Sequence, residues 1–148
     1  MARKSDTTPI PNTAGYSGTP LAKKIGIKPG ARVRLVDEPD GFLELLEPIP
    51  DGVEFVERGG RTVDVTIAFC RRTADAVAHI ARLGPTIVDR EMLWIGWPKR
   101  TSSLASDLSE DIIRQVGLDA GLVDVKVCAI DATWSGLKFV RRKADRPR

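Results

Sequence analysis

Met92-Leu93-Trp94-Ile95-Gly96-Trp97-Pro98-Lys99-Arg100-Thr101-Ser102-Ser103 is the stretch whose reading decides the fold. Residues 92 to 97 are apolar or small without alternation, which marks a strand covered on both faces, since a strand covered on one face would be polar at every second position. Pro98 breaks the run, and a loop with two cations and three hydroxyls follows. Asp107, with Glu110 three residues on, then predicts a capped helix start, and Ile112, Ile113 and Val116 predict its buried side from about Leu108 onward. A doubly covered strand feeding a loop and a helix belongs in a parallel α/β sheet, where ligands sit at the carboxyl ends of the strands.

Working outward, the elements on either side alternate in the same way. Thr19-Pro20 starts a short helix that Gly26 ends, and 31 to 36 is the first strand. A short amphipathic helix is expected within 39 to 47 and a strand at 53 to 56. In the strand at 63 to 70, Val63, Val65, Ile67 and Phe69 share one face, and small Ala68 and Cys70 on the other invite a close helix. Thr73 is read as the cap of that helix, with Ala74, Val77, Ala78, Ile80 and Ala81 as its buried stripe and His79 turned to solvent. After the central helix, the strands 122 to 130 and 134 to 140 are joined by Asp131-Ala132-Thr133. A connection this short requires an antiparallel hairpin, read here as adding an antiparallel edge strand. The expected fold is a mainly parallel, Rossmann-like α/β sheet with helices on both faces and a C-terminal antiparallel hairpin.

Length and composition bound the rest. The 148 residues, 42% hydrophobic, suit one domain. We expect a disordered arm at 1 to 14, a body at 15 to 140 and a basic tail at 141 to 148. Of the net charge of +3, the arm carries +1 and the tail +4, leaving −2 on the body, and this distribution argues against a nucleic-acid partner. No apolar run is long enough for a membrane span and the start lacks an apolar leader, so a cytoplasmic location is expected. Two cysteines and one histidine without ligand spacing argue against a metal site.

Asp37, Arg71, Trp97 to Ser103, and Asp131 to Trp134 are all expected at one sheet edge. Lys99, Arg100, Thr101, Ser102 and Ser103 form the candidate anion site, by charge and by helix-start amides. Asp37, Arg71, Trp97, Asp131 and Trp134 form its rim. Cys70, before Arg71-Arg72, is read as a buried thiol, with a reactive thiolate as the alternative.

The order of elements, with Gly26-Ile27-Lys28-Pro29-Gly30-Ala31-Arg32-Val33 leading into the first strand, resembles a shortened class I methyltransferase sheet. That resemblance implies S-adenosylmethionine. The turn after the first strand, Val36-Asp37-Glu38-Pro39-Asp40-Gly41-Phe42, has one glycine where such a site calls for several, so no cofactor is expected. Three further blocks are similar to an uncharacterised bacterial domain of unknown function, a resemblance that implies no reaction. They are residues 15 to 24, Trp97-Pro98-Lys99-Arg100 with Ser102 and Asp107-Leu108, and residues 121 to 128 with 134 to 139. The expected role is a binding or regulatory module for an anionic small molecule or a protein partner. The alternatives are a divergent methyltransferase with Asp37 or Asp131 as base and a tail-assisted nucleic-acid binder.

Overall fold

A computed structural model describes residues 19–57, 62–88, 90–104 and 107–142. The arm expected at 1 to 14 and the last six residues of the expected tail lie outside them. Six strands, β1 Arg32–Val36, β2 Glu54–Val56, β3 Val65–Phe69, β4 Met92–Pro98, β5 Leu122–Ala129 and β6 Trp134–Arg141, form one sheet in the order β2-β1-β3-β4-β6-β5. β2, β1, β3 and β4 are parallel neighbours, and β6 runs antiparallel to both β4 and β5. The mainly parallel α/β sheet and its closing hairpin follow the sequence reading.

The position of the reversed strand does not. β6 lies inside the sheet and β5 forms the edge. The crossover from β4 to β5 skips one place, and the hairpin return fills it. β6 also runs through Arg141, whose guanidinium donates to the carbonyls of Gly84, Ile87 and Gly121. β6 thus takes in Arg141, the first residue of the expected tail.

Two apolar layers sandwich the sheet. On one side α1 (Leu21–Ile25) and α2 (Phe42–Leu45) cover Val33, Val65, Ile67, Phe69, Trp94 and Trp134. On the other, α3 (Thr73–Leu83) and α4 (Glu110–Asp119) cover Ala68, Cys70, Leu93, Ile95, Trp97, Leu137 and Phe139. β3 and β4 thus carry buried residues on both faces, as the unbroken apolar run at 92 to 97 demands.

Gly96 and Gly136 stand opposite one another on β4 and β6. A Cβ on Gly96 would lie 2.9 Å from the Phe69 ring, and one on Gly136 would lie 3.1 Å from Trp94 and Ile130. The pair makes room for large side chains above the centre of the sheet.

Candidate functional site: the carboxyl edge of the parallel strands

β1 ends at Val36, and Asp37 turns the chain with φ 56. This is the left-handed region, uncommon outside glycine but tolerated by aspartate. Gly41, φ 84, completes the turn into α2. Asp37 Oδ2 lies 3.0 Å from His79 Nε2, and the same nitrogen lies 3.2 Å from the Phe69 carbonyl. Both neighbours are acceptors, so Nε2 carries the proton and donates to each. The loop after β1, the end of β3 and α3 are thereby pinned together.

His79 is buried, contrary to its expected solvent position. The buried side of α3 is Ala76, His79, Ile80 and Leu83, whereas Val77 is 47% exposed. Alanines at 74, 76, 78 and 81 surround the helix, so apolar periodicity alone picks the wrong face.

Cys70 follows β3 and is buried. Burial, then the negative charges of Asp75 and Asp37, push its thiol up to about 12, which leaves no reactive thiolate near neutral pH. The guanidinium carbon of the next residue, Arg71, lies 6.0 Å from the Trp134 ring centre. Trp134 meets Phe69 edge-on at 5.2 Å, and Phe69 meets Phe42 edge-on at 5.0 Å, so a three-ring aromatic ladder underlies this part of the edge. Trp134 is 4% exposed and Trp97 6%. They belong to opposite layers, which separates Trp97 from Trp134 and from the Arg71 guanidinium beside it.

Asp131 shapes the hairpin turn: its Oδ1 accepts from the amides of Thr133, at 2.8 Å, and Trp134, at 2.7 Å. The Thr133 carbonyl accepts in turn from the Lys99 amide. In the loop from Lys99 to Ser103, the Ser102 hydroxyl donates to the Lys99 carbonyl and accepts from the Leu104 amide, closing a compact turn. Arg100, Thr101 and Ser103 are exposed. Lys99 and Arg100 line an open groove of about 530 Å³ with Trp97, Ser109, Glu110 and Asp111, so cations and carboxylates share it.

Two caps differ from expectation. Ser109 caps α4 by accepting from Ile112 N, and Asp107 accepts from the Thr73 amide at the start of α3. Asp107 is close enough in sequence to look like a cap of α4, but its carboxylate reaches across to the neighbouring helix and ties the loop to α3. Ile112, expected to be buried, is 37% exposed. Glu57, directly after β2, completes the edge and is exposed. Among the described residues no three or more His, Cys, Asp or Glu side chains group as metal ligands.

No family model and no curated protein sequence matches the chain. Solved structures do. A SAM-dependent methyltransferase from Aquifex aeolicus matches with a TM-score of 0.54 at 15% identity, over 80% of this chain and 86% of that one. Aeropyrum pernix fibrillarin, in complex with natively bound S-adenosyl-L-methionine, matches with 0.53 at 12% identity, over 81% and 73%. Magnesium protoporphyrin IX methyltransferase from Synechocystis PCC 6803, with bound SAH, matches with 0.52 at 12%, over 82% and 78%. The fold is the Rossmann-like fold of class I methyltransferases.

This overturns the expectation of no cofactor, because proteins of the same fold were crystallised with S-adenosylmethionine or its demethylated product. The missing glycine is also less decisive than the sequence suggests. Asp37 adopts the left-handed conformation that a glycine would supply at that turn. Among the described residues no helix is long and apolar enough to cross a membrane.

Proposed function

We propose that the chain binds S-adenosylmethionine at the carboxyl edge of β1 and β3 and is a divergent methyltransferase. One observation carries this reading. β1 and β3 are parallel neighbours whose onward connections run to opposite sides, β1 to β2 and β3 to β4, and such a switch point is where open α/β sheets hold their ligands.

The side chains there fit the group. Glu57, after β2, offers a carboxylate acceptor for ribose hydroxyls. Asp37, Glu38 and Asp40 gather negative charge at the turn where a cationic sulfonium and ammonium need it. Bound, the cofactor supplies an electrophilic methyl group. Asp37 is the better proton acceptor of the two candidates: its carboxylate is 69% exposed and oriented by the His79 N–H, whereas Asp131 Oδ1 holds the hairpin turn.

Calorimetric titration with S-adenosylhomocysteine tests the reading. We expect saturable heat with Kd between about 1 and 100 μM, roughly −8 to −5.5 kcal/mol, and about tenfold weaker binding for Glu57→Gln. No heat at millimolar ligand overturns it.

A non-catalytic anion site at Lys99 to Ser103 is the second reading, favoured by the open groove beside Lys99 and Arg100. Glu110 and Asp111 in the same groove weigh against it. Sulfate binding that is lost in both Lys99→Ala and Arg100→Ala would favour it over the first.

A further inference from the structure

The hairpin sets two lysines against each other. Lys126 on β5 and Lys138 on β6 are direct cross-strand partners. Both lie on the α1 side of the sheet. Lys126 donates to the Lys24 carbonyl of α1 at 2.9 Å, and Lys138 pairs in register with Trp94, whose ring is in that layer. Like charges directly opposed across a strand pair are destabilising.

α1 adds to the charge. Lys24 reaches the Ala129 carbonyl at 3.3 Å, and Lys23 stands beside it on the same short helix. Partial burial, followed by the charges of Lys126 and Lys28, lowers the pKa of Lys138. The ion pairs among the described residues join Arg32 to Glu54, His79 to Asp37, and Arg114 to Glu110, Asp111 and Asp124. None of them neutralises a lysine of this cluster.

A solvated surface would spread such charges apart. Three of these lysines, Lys23, Lys24 and Lys126, instead line one groove of about 690 Å³ with Thr19, Cys128 and Ser135. We propose that this groove between α1 and the β5–β6 hairpin is a binding site for a phosphate-bearing small molecule. Lysine ammoniums bind phosphate as point charges, and the Thr19 and Ser135 hydroxyls add neutral donors. The groove is of ordinary ligand-site size. A small ligand is favoured over a nucleic acid because three lysines meet in one concavity while residues 15 to 140 as a whole carry a net charge of −2. The site is separate from the β1–β3 edge and does not rest on the methyltransferase reading.

The test is thermal unfolding of the full chain at low ionic strength, with inorganic pyrophosphate against sodium chloride of equal ionic strength. Pyrophosphate raises the wild-type midpoint by several degrees more than the chloride control, roughly the shift expected at ~100 times Kd. Lys138→Met keeps the aliphatic stem and removes one of the opposed charges. Without ligand it melts at or above the wild-type temperature, as relief of the cross-strand opposition requires. Lys23→Ala, at an exposed position in the groove wall, lowers pyrophosphate affinity about tenfold with no change in unliganded stability. Equal shifts with pyrophosphate and chloride, or undiminished binding in Lys23→Ala, overturn the proposal. So does stabilisation by a single-stranded oligonucleotide but not by pyrophosphate, which would make the surface a nucleic-acid contact.

Discussion

The two faces of the sheet are covered in different ways. On one, α3 and α4 span 11 and 10 residues and lie close against the strands. On the other, α1 and α2 have 5 and 4 residues, and the layer is completed by large aromatic rings. Short helices leave parts of that face uncovered, and the lysine groove opens there. The difference separates stability from space: the long helices close one side of the core, and the brief ones leave room for a ligand.

Substitutions on each face sharpen that contrast. Gly117 lets α4 approach β6, because a Cβ at this position would lie 2.1 Å from the Phe139 ring. Gly117→Ala should therefore destabilise by about 2 to 3 kcal/mol despite alanine's better helix propensity, measured by urea unfolding. A neutral or stabilising result would mean that the long-helix face is looser than described. On the short-helix face, the Trp94 indole donates to the Ile25 carbonyl at 2.9 Å and fastens α1 to the sheet. Trp94→Phe removes that bond and some volume, for an expected loss of about 1 to 2 kcal/mol. A loss above that of Gly117→Ala would reverse the ranking of the two faces.

The smallest effect is a pH dependence. The native Cys70 thiol is raised from its ordinary 9.0 to about 12, so above pH 9 the unfolded chain releases a proton that the native chain keeps. Unfolding is favoured as pH rises through that window, and below it Cys70 contributes no slope. Cys70→Ala should flatten the fall in stability above pH 9, and a thiol reagent should leave native Cys70 unmodified at pH 8. Rapid labelling at Cys70, told apart from the second free thiol Cys128 by peptide mapping, would contradict the burial.

The alternation of elements was legible because each rests on local pattern: the unbroken apolar run at 92 to 97, the shared face of Val65, Ile67 and Phe69, and the three-residue connection at Asp131. What escaped depends on contacts distant in sequence. The bond from Asp107 to Thr73 joins residues of two different helices' starts. The placement of β6 between β4 and β5 is a choice of strand order, on which hydrophobic periodicity is silent. The opposition of Lys126 and Lys138 needs the register shift between Asp124 and Lys126, since one extra residue reverses which side chains face α1. His79 was missed because an alanine-rich helix has no unique apolar side.

The most direct test of the account is an amide-resolved NMR titration of the full chain with S-adenosylhomocysteine. Shifts are predicted at Asp37 to Gly41, Glu57 and Arg71, the residues that follow β1, β2 and β3, while Gly117 and the rest of α4 stay unchanged. No shift at millimolar ligand, or shifts confined to the α3 and α4 face, would contradict a cofactor site at the carboxyl edge.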